Sequence, residues 1–206
     1  DFIIIHEAGH EWFANNITYK DAADMWVHEG FTCYSESLFL DYHYGTEAAN
    51  AYVQGIRNNI RNDRPIIGIY NVNKGSNMLH TLRQIVNDDK EWRTILRGLN
   101  SEFYHKTVTT AQIEEYIATK MKRNLDPFFD QYLRTVKIPV FEYTIKGKKI
   151  SYRFTNTVKD FTIPLKVFVD DQPVWLNPST TWQSKKMNGN LESLRVDPNF
   201  YVETKS

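Results

Sequence analysis

Hydrophobic positions recur at helical spacing over the first two-thirds of the chain and alternate over the last third. Residues 6–15 read as a helix, followed by a turn-rich segment over 16–21. A longer helix is predicted over 24–44, with Phe31, Tyr34 and Leu38 near helical spacing and Gly45 as its stop. Thr46 has the chemistry of an N-cap for a helix reaching about residue 62, and residues 63–75 read as irregular around Pro65, Gly68 and Gly75. Ser76 is the expected cap of a helix through Val86. Over 89–104, Trp92, Ile95, Leu96, Leu99 and Phe103 form one apolar stripe. Thr110 opens a helix carrying Ile113, Ile117 and Met121 on one face, and Asp126-Pro127 is a start signal for a short helix ending near Arg134.

After Pro139 the period changes to two. Residues 140–146 and 150–154 alternate around Gly147-Lys148, which reads as a hairpin. Short strands are expected over 164–169, 174–176, 180–183 and 194–196, so this third of the chain reads as a small all-β sandwich. The expected organisation is multi-domain, α and β: a mainly helical part over 1–138 and a β-sandwich over 139–206.

Composition narrows the function classes. Of 206 residues, 25 are Lys or Arg and 25 are Asp or Glu, and a net charge of zero speaks against a nucleic-acid footprint. The Lys-rich segments over 146–149 and 185–186 are too short to change that. With 41% hydrophobic residues there is material for a sizeable core, and no apolar run approaches membrane-spanning length. One cysteine excludes an internal disulfide framework. The opening Asp1-Phe2-Ile3-Ile4-Ile5 is apolar without the layout of a signal peptide, and reads as a stretch preceded by more of the same polypeptide.

His6-Glu7-Ala8-Gly9-His10 is an HExxH run. Positions i and i+4 of a helix share a face, so His6 and His10 can reach one metal ion, with Glu7 beside them. A catalytic zinc needs a third ligand, and Glu29 stands eighteen intervening residues after His10. Glu36 lies two turns further along the same helix face, and Asp24 lies five residues before Glu29. Either carboxylate could accept a hydrogen bond from a ligand imidazole. His28 points about 100° away from Glu29 and stays outside the ligand set. Cys33, Tyr42 and Tyr44 read as packing residues, and His43, His80 and His105 as structural or solvated.

The stretch from His6 through Asn15, together with Asp24-Met25-Trp26-Val27-His28-Glu29-Gly30-Phe31, closely resembles the gluzincin zinc aminopeptidases, the group of aminopeptidase N and leukotriene hydrolase. Met78-Leu79-His80-Thr81-Leu82-Arg83 and the run from Asp126 to Leu133 are similar to the end of that family's catalytic domain, and the remainder to its small β-domain. The resemblance implies a thermolysin-like catalytic part followed by an immunoglobulin-like sandwich. It implies one zinc ion held by His6, His10 and Glu29, and a peptide substrate attacked by zinc-activated water with Glu7 as general base.

Two features depart from the family. Its transition-state tyrosine precedes a Lys-Gly pair by two residues, where this chain has Val72 before Lys74-Gly75. Either Tyr70 fills that role from a differently shaped loop, or the tyrosine-bearing loop is missing between Asn71 and Gly75. The family's amine-anchoring Gly-x-Met-Glu-Asn strand is not among these residues. The alternatives to an aminopeptidase are therefore a thermolysin-like endopeptidase and a catalytically impaired metal- or peptide-binding module.

Overall fold

In the computed structural model, which describes residues 2–189 and 191–206, the helix carrying the HExxH run is α1 (Phe2–Gly9). It does not continue smoothly to residue 15. A π-helical turn over Glu11–Asn16 contains a kink, with Phe13 at φ −122°, ψ 62° and Ala14 at φ 173°, ψ −61°. The chain leaves it as β1 (Ile17–Tyr19), where turns were expected. β1 pairs in parallel with β2 (Lys106–Val108), Ile17 opposite Lys106, so two distant segments lock together.

The central helix is α2 (Trp26–Tyr44), which starts two residues later than expected because a 3-10 turn over Ala22–Asp24 precedes it. It packs against α1, α3 (Thr46–Gly55) and α4 (Val72–Val86). α3 stops at Gly55 and passes into a 3-10 turn over Ile56–Asn59. Thr46 begins it without capping it, since its hydroxyl donates to Asp41 Oδ1 at 2.7 Å.

The expectation for Ser76 is corrected. α4 begins at Val72, after Asn71 in the left-handed region, and Ser76 is a buried mid-helix residue. The earlier start follows from packing. A Cβ added to Gly75 would stand 3.3 Å from the Gly30 Cα, so α2 and α4 cross there nearly backbone to backbone. The approach is tight at Gly75, whereas a Cβ on Gly30 would meet Gly75 at an ordinary 3.6 Å.

α5 (Asp89–Glu102) is capped by the Asp88 carboxylate, and its stripe residues Trp92, Ile95 and Leu99 are buried. α6 (Thr110–Met121) opens with a capping box between Thr109 and Gln112, and α7 (Asp126–Arg134) carries its proline in the first turn. Tyr42 and Tyr44 are not packing residues, being 83% and 70% exposed.

The alternating segments become strands. β3 (Val140–Lys146) and β4 (Lys149–Thr155) pair antiparallel from Val140 opposite Thr155 to Lys146 opposite Lys149. β5 (Leu165–Val169), β6 (Gln172–Leu176) and β8 (Leu194–Val196) form a three-stranded sheet in the order β6-β5-β8. The other sheet has the order β7-β4-β3-β9. In it, β7 (Gln183–Lys186) falls three residues beyond the expected start, and β9 (Glu203–Lys205), which alternation did not predict, runs parallel to β3. Phe141, Ile150 and Phe154 from one sheet and Leu165, Val167 and Leu176 from the other are buried. Tyr143 Oη bridges the sheets by donating to the Leu194 carbonyl at 3.0 Å.

Helices and sheets share one continuous apolar core, threaded by a polar seam. Tyr132 Oη donates to the Tyr201 carbonyl at 2.7 Å, and the Tyr201 amide donates to Thr81 Oγ1 at 3.0 Å. His80 sits fully buried beside this seam, with Nε2 3.3 Å from Asn199 Oδ1. Burial holds its pKa down at about 4, only partly opposed by the Asn199 contact. Below pH 6.5 the unfolded chain therefore takes up a proton that the folded chain refuses. The contribution is intact above pH 6.5 and is lost as pH falls toward 4, at a slope of up to about 1.4 kcal/mol per unit. Urea unfolding at pH 7 and pH 5 checks this: His80→Gln should have a distinctly smaller pH dependence than the wild type.

Candidate metal centre

His6, His10 and Glu29 come together in the structure. One ligand atom from each lies within 4.8 Å of the others, and no other group of three or more His, Cys, Asp or Glu side chains is this close among the described residues. His6 Nε2 stands 3.3 Å from Glu29 Oε2, and His10 Nε2 stands 3.8 Å from Glu29 Oε1. The imidazoles meet edge to face with centroids 5.0 Å apart. α1 supplies His6, and His10, just past its last residue, keeps helical backbone angles (φ −63°, ψ −17°), so the i and i+4 positions still share a face, while α2 delivers Glu29 in its first turn. α1 approaches α2 closely at Gly9, where an added Cβ would meet Thr32 Cγ2 at 3.1 Å.

The second nitrogen of each ring is engaged away from the trio. His6 Nδ1 donates to Glu36 Oε1 at 2.7 Å, and Glu36 is buried. His10 Nδ1 lies 3.2 Å from the Phe13 carbonyl and 3.1 Å from Thr32 Oγ1. The kink at Phe13 and Ala14 produces that contact by taking the carbonyl out of regular helical bonding. Both Nε2 atoms are thereby turned toward the Glu29 carboxylate. Two imidazole nitrogens, each ring held at its other nitrogen by an outer acceptor, and one carboxylate oxygen are a donor set that fits a zinc ion with an open position.

Glu36 has a further partner that no sequence pattern signalled: Tyr52 on α3 donates its hydroxyl to Glu36 Oε2. Burial, and then the Glu36 carboxylate, push that phenol above the ordinary tyrosine range, which keeps it a donor. The Tyr52 ring stacks on Phe2 of α1 at a centroid distance of 4.9 Å. Thr32 and the Phe13 carbonyl were likewise not anticipated. Their roles depend on backbone geometry and leave no spacing signature.

The remaining candidates lie elsewhere. Glu7 is exposed, and its side chain makes no hydrogen bond or ion pair among the described residues. Asp24 does not reach the histidines. Its carboxylate accepts from Thr110 Oγ1 at 2.7 Å and the Thr110 amide at 3.3 Å, because the 3-10 turn ahead of α2 directs it toward the start of α6. Tyr70 is half exposed beneath the Arg64 guanidinium, 4.4 Å from its ring centroid, in a cleft with Asn71 and Val72. No described contact joins it to the trio. His28 Nε2 accepts the Tyr19 amide at 3.1 Å and ties α2 to β1. The Cys33 thiol is buried and pushed up to about 12, as befits a packing residue.

Residues 1–64, which contain the trio with Glu36 and Tyr52, match the Peptidase family M1 domain. The family this chain resembles is peptidase M1. Human aminopeptidase N is 45% identical over 40 residues, which is 19% of this chain and 4% of that protein. Mouse aminopeptidase B is 26% identical over 170 residues, covering 68% of this chain and 26% of its own length. Over its full length the chain is similar in fold to Legionella pneumophila aminopeptidase A, solved in complex with aspartic acid, with a TM-score of 0.76 at 13% identity. It covers 27% of that chain, so it spans about a quarter of each of these two longer proteins. No helix among the described residues is long and apolar enough to cross a membrane.

Proposed function

We propose that this chain is the metal-bearing part of a zinc aminopeptidase that releases N-terminal residues from peptides. The observation that carries the reading is the trio of His6, His10 and Glu29, with both Nε2 atoms turned inward and both Nδ1 atoms engaged outward. A zinc ion held there would supply Lewis acidity toward a peptide carbonyl and toward water. Glu7, next to His6 and without another partner, takes the proton of the attacking water and passes it to the leaving amine. Glu36 and the Phe13 carbonyl orient the two imidazoles. Tyr70 is the candidate donor to the developing oxyanion, and its position under Arg64 is what favours an impaired enzyme as the second reading.

In this reading residues 1–138 form a thermolysin-like catalytic part and 139–206 an immunoglobulin-like sandwich. The partners are a peptide and the rest of a longer polypeptide. Metal analysis tests the centre: the native chain should hold about one zinc equivalent and His6→Ala far less. A zinc content unchanged by His6→Ala rejects the site. In the longer polypeptide, free-amine peptides should be cleaved in preference to N-acetylated ones. Equal rates on both reject the aminopeptidase assignment in favour of an endopeptidase.

A further inference from the structure

Three helices are joined by one chain of hydrogen bonds that ends at the metal centre. Tyr52 on α3 donates to Glu36 Oε2, and Glu36 Oε1, on α2, accepts from His6 Nδ1 on α1 at 2.7 Å. Each oxygen of the Glu36 carboxylate thus has one dedicated donor. The carboxylate is 9% exposed, so water is a poor substitute for either. A carboxylate held at both oxygens cannot rotate about its terminal bond without breaking a charge-assisted hydrogen bond. Freed at Oε2, it can turn, and its hold on the His6 proton weakens.

We propose that Tyr52 is a positioning residue for the metal centre: through Glu36 it holds the His6 ring in place, with Nε2 presented to the metal. This rests on the zinc reading above for its metal arm only. The ring of Tyr52 has a separate task, since its stack on Phe2 ties α3 to the start of α1. The hydroxyl can therefore be removed while the packing is left in place, and Tyr52→Phe does that. The outer partners of ligand histidines set ring orientation and tautomer, and their loss commonly costs ten- to a hundredfold in metal affinity.

The experiment has two arms on the 206-residue chain. Chelator competition should show zinc binding weakened about ten- to a hundredfold in Tyr52→Phe. NMR of the metal-free chain should show the His6 Nδ1 proton exchanging slowly with water in the wild type and at least about tenfold faster in Tyr52→Phe. Zinc affinity within twofold of wild type, with unchanged exchange of that proton, overturns the proposal. A His6 Nδ1 proton already in fast exchange in the unsubstituted chain overturns it whether or not the variant folds. If the wild type binds no zinc, the zinc reading fails, and the proton-exchange arm still decides the role of Tyr52.

Discussion

Glu7→Gln is expected to lower peptide hydrolysis by the longer polypeptide by roughly 10²–10⁴-fold, with its zinc content unchanged. The separation of the two effects follows from where Glu7 stands. It adjoins His6 in α1 but lies outside the trio, and its side chain makes no hydrogen bond or ion pair among the described residues. Glutamine keeps the shape and removes the ability to accept and return a proton. The ligand atoms of His6, His10 and Glu29, and the Glu36 and Phe13 oxygens behind them, are untouched. Metal analysis and kcat on one preparation read both quantities. A variant retaining more than about a tenth of the wild-type rate would remove Glu7 from the role of base.

Arg83→Met should cost about 3 kcal/mol of folding stability, read as a shift of the urea midpoint. Arg83 is 6% exposed and joins three helices. Its Nη2 donates to Asp41 Oδ2 at 2.6 Å, and its Nε donates to Asp89 Oδ1 at 2.8 Å. Asp41 is largely buried near the end of α2, whereas Asp89 is mostly exposed at the start of α5. Methionine fills much of the volume but leaves the largely buried Asp41 carboxylate with the Thr46 hydroxyl in place of a cation, and that loss dominates the cost. The double variant Arg83→Met/Asp41→Asn should recover part of the loss. Asp89→Asn should cost much less, because water covers that carboxylate.

Spacing made a good deal of this molecule legible. The two turns from Glu29 to Glu36 place both on one face of α2, and the i, i+4 pair at the end of α1 turns both imidazoles one way, so helix geometry and the packing of α1 on α2 bring the trio together. The hairpin from Val140 to Thr155 was readable because its alternation and its Gly147 turn agree. Other features depend on distant partners and leave no local trace. β1 is three residues long and exists because β2 pairs with it across nearly ninety residues of chain. Ser76 looked like a cap because hydroxyl residues favour helix starts, but the α2–α4 crossing at Gly30 and Gly75 draws the helix back to Val72. Asp24 is near Glu29 in sequence, yet a 3-10 turn sends its carboxylate to Thr110. Tyr52 carries no motif, and only the packing of α3 against α2 brings it to Glu36.

The parallel pairing of β9 with β3 bears on the order in which the chain can assemble. β3 takes Glu203 as the partner on its second edge, Tyr132 Oη donates to the Tyr201 carbonyl, and Thr81 Oγ1 accepts the Tyr201 amide. Until residues 201–205 have emerged, the second edge of β3 and the Tyr132 hydroxyl on α7 lack these partners. Contacts of such long sequence separation form late and slow the search. Until then, the open strand edge is a template for pairing with another chain. A chain shortened by its last six residues would lose β9 together with the Tyr201 anchor, and its characteristic failure would be association through β3 rather than loss of the metal-bearing helices.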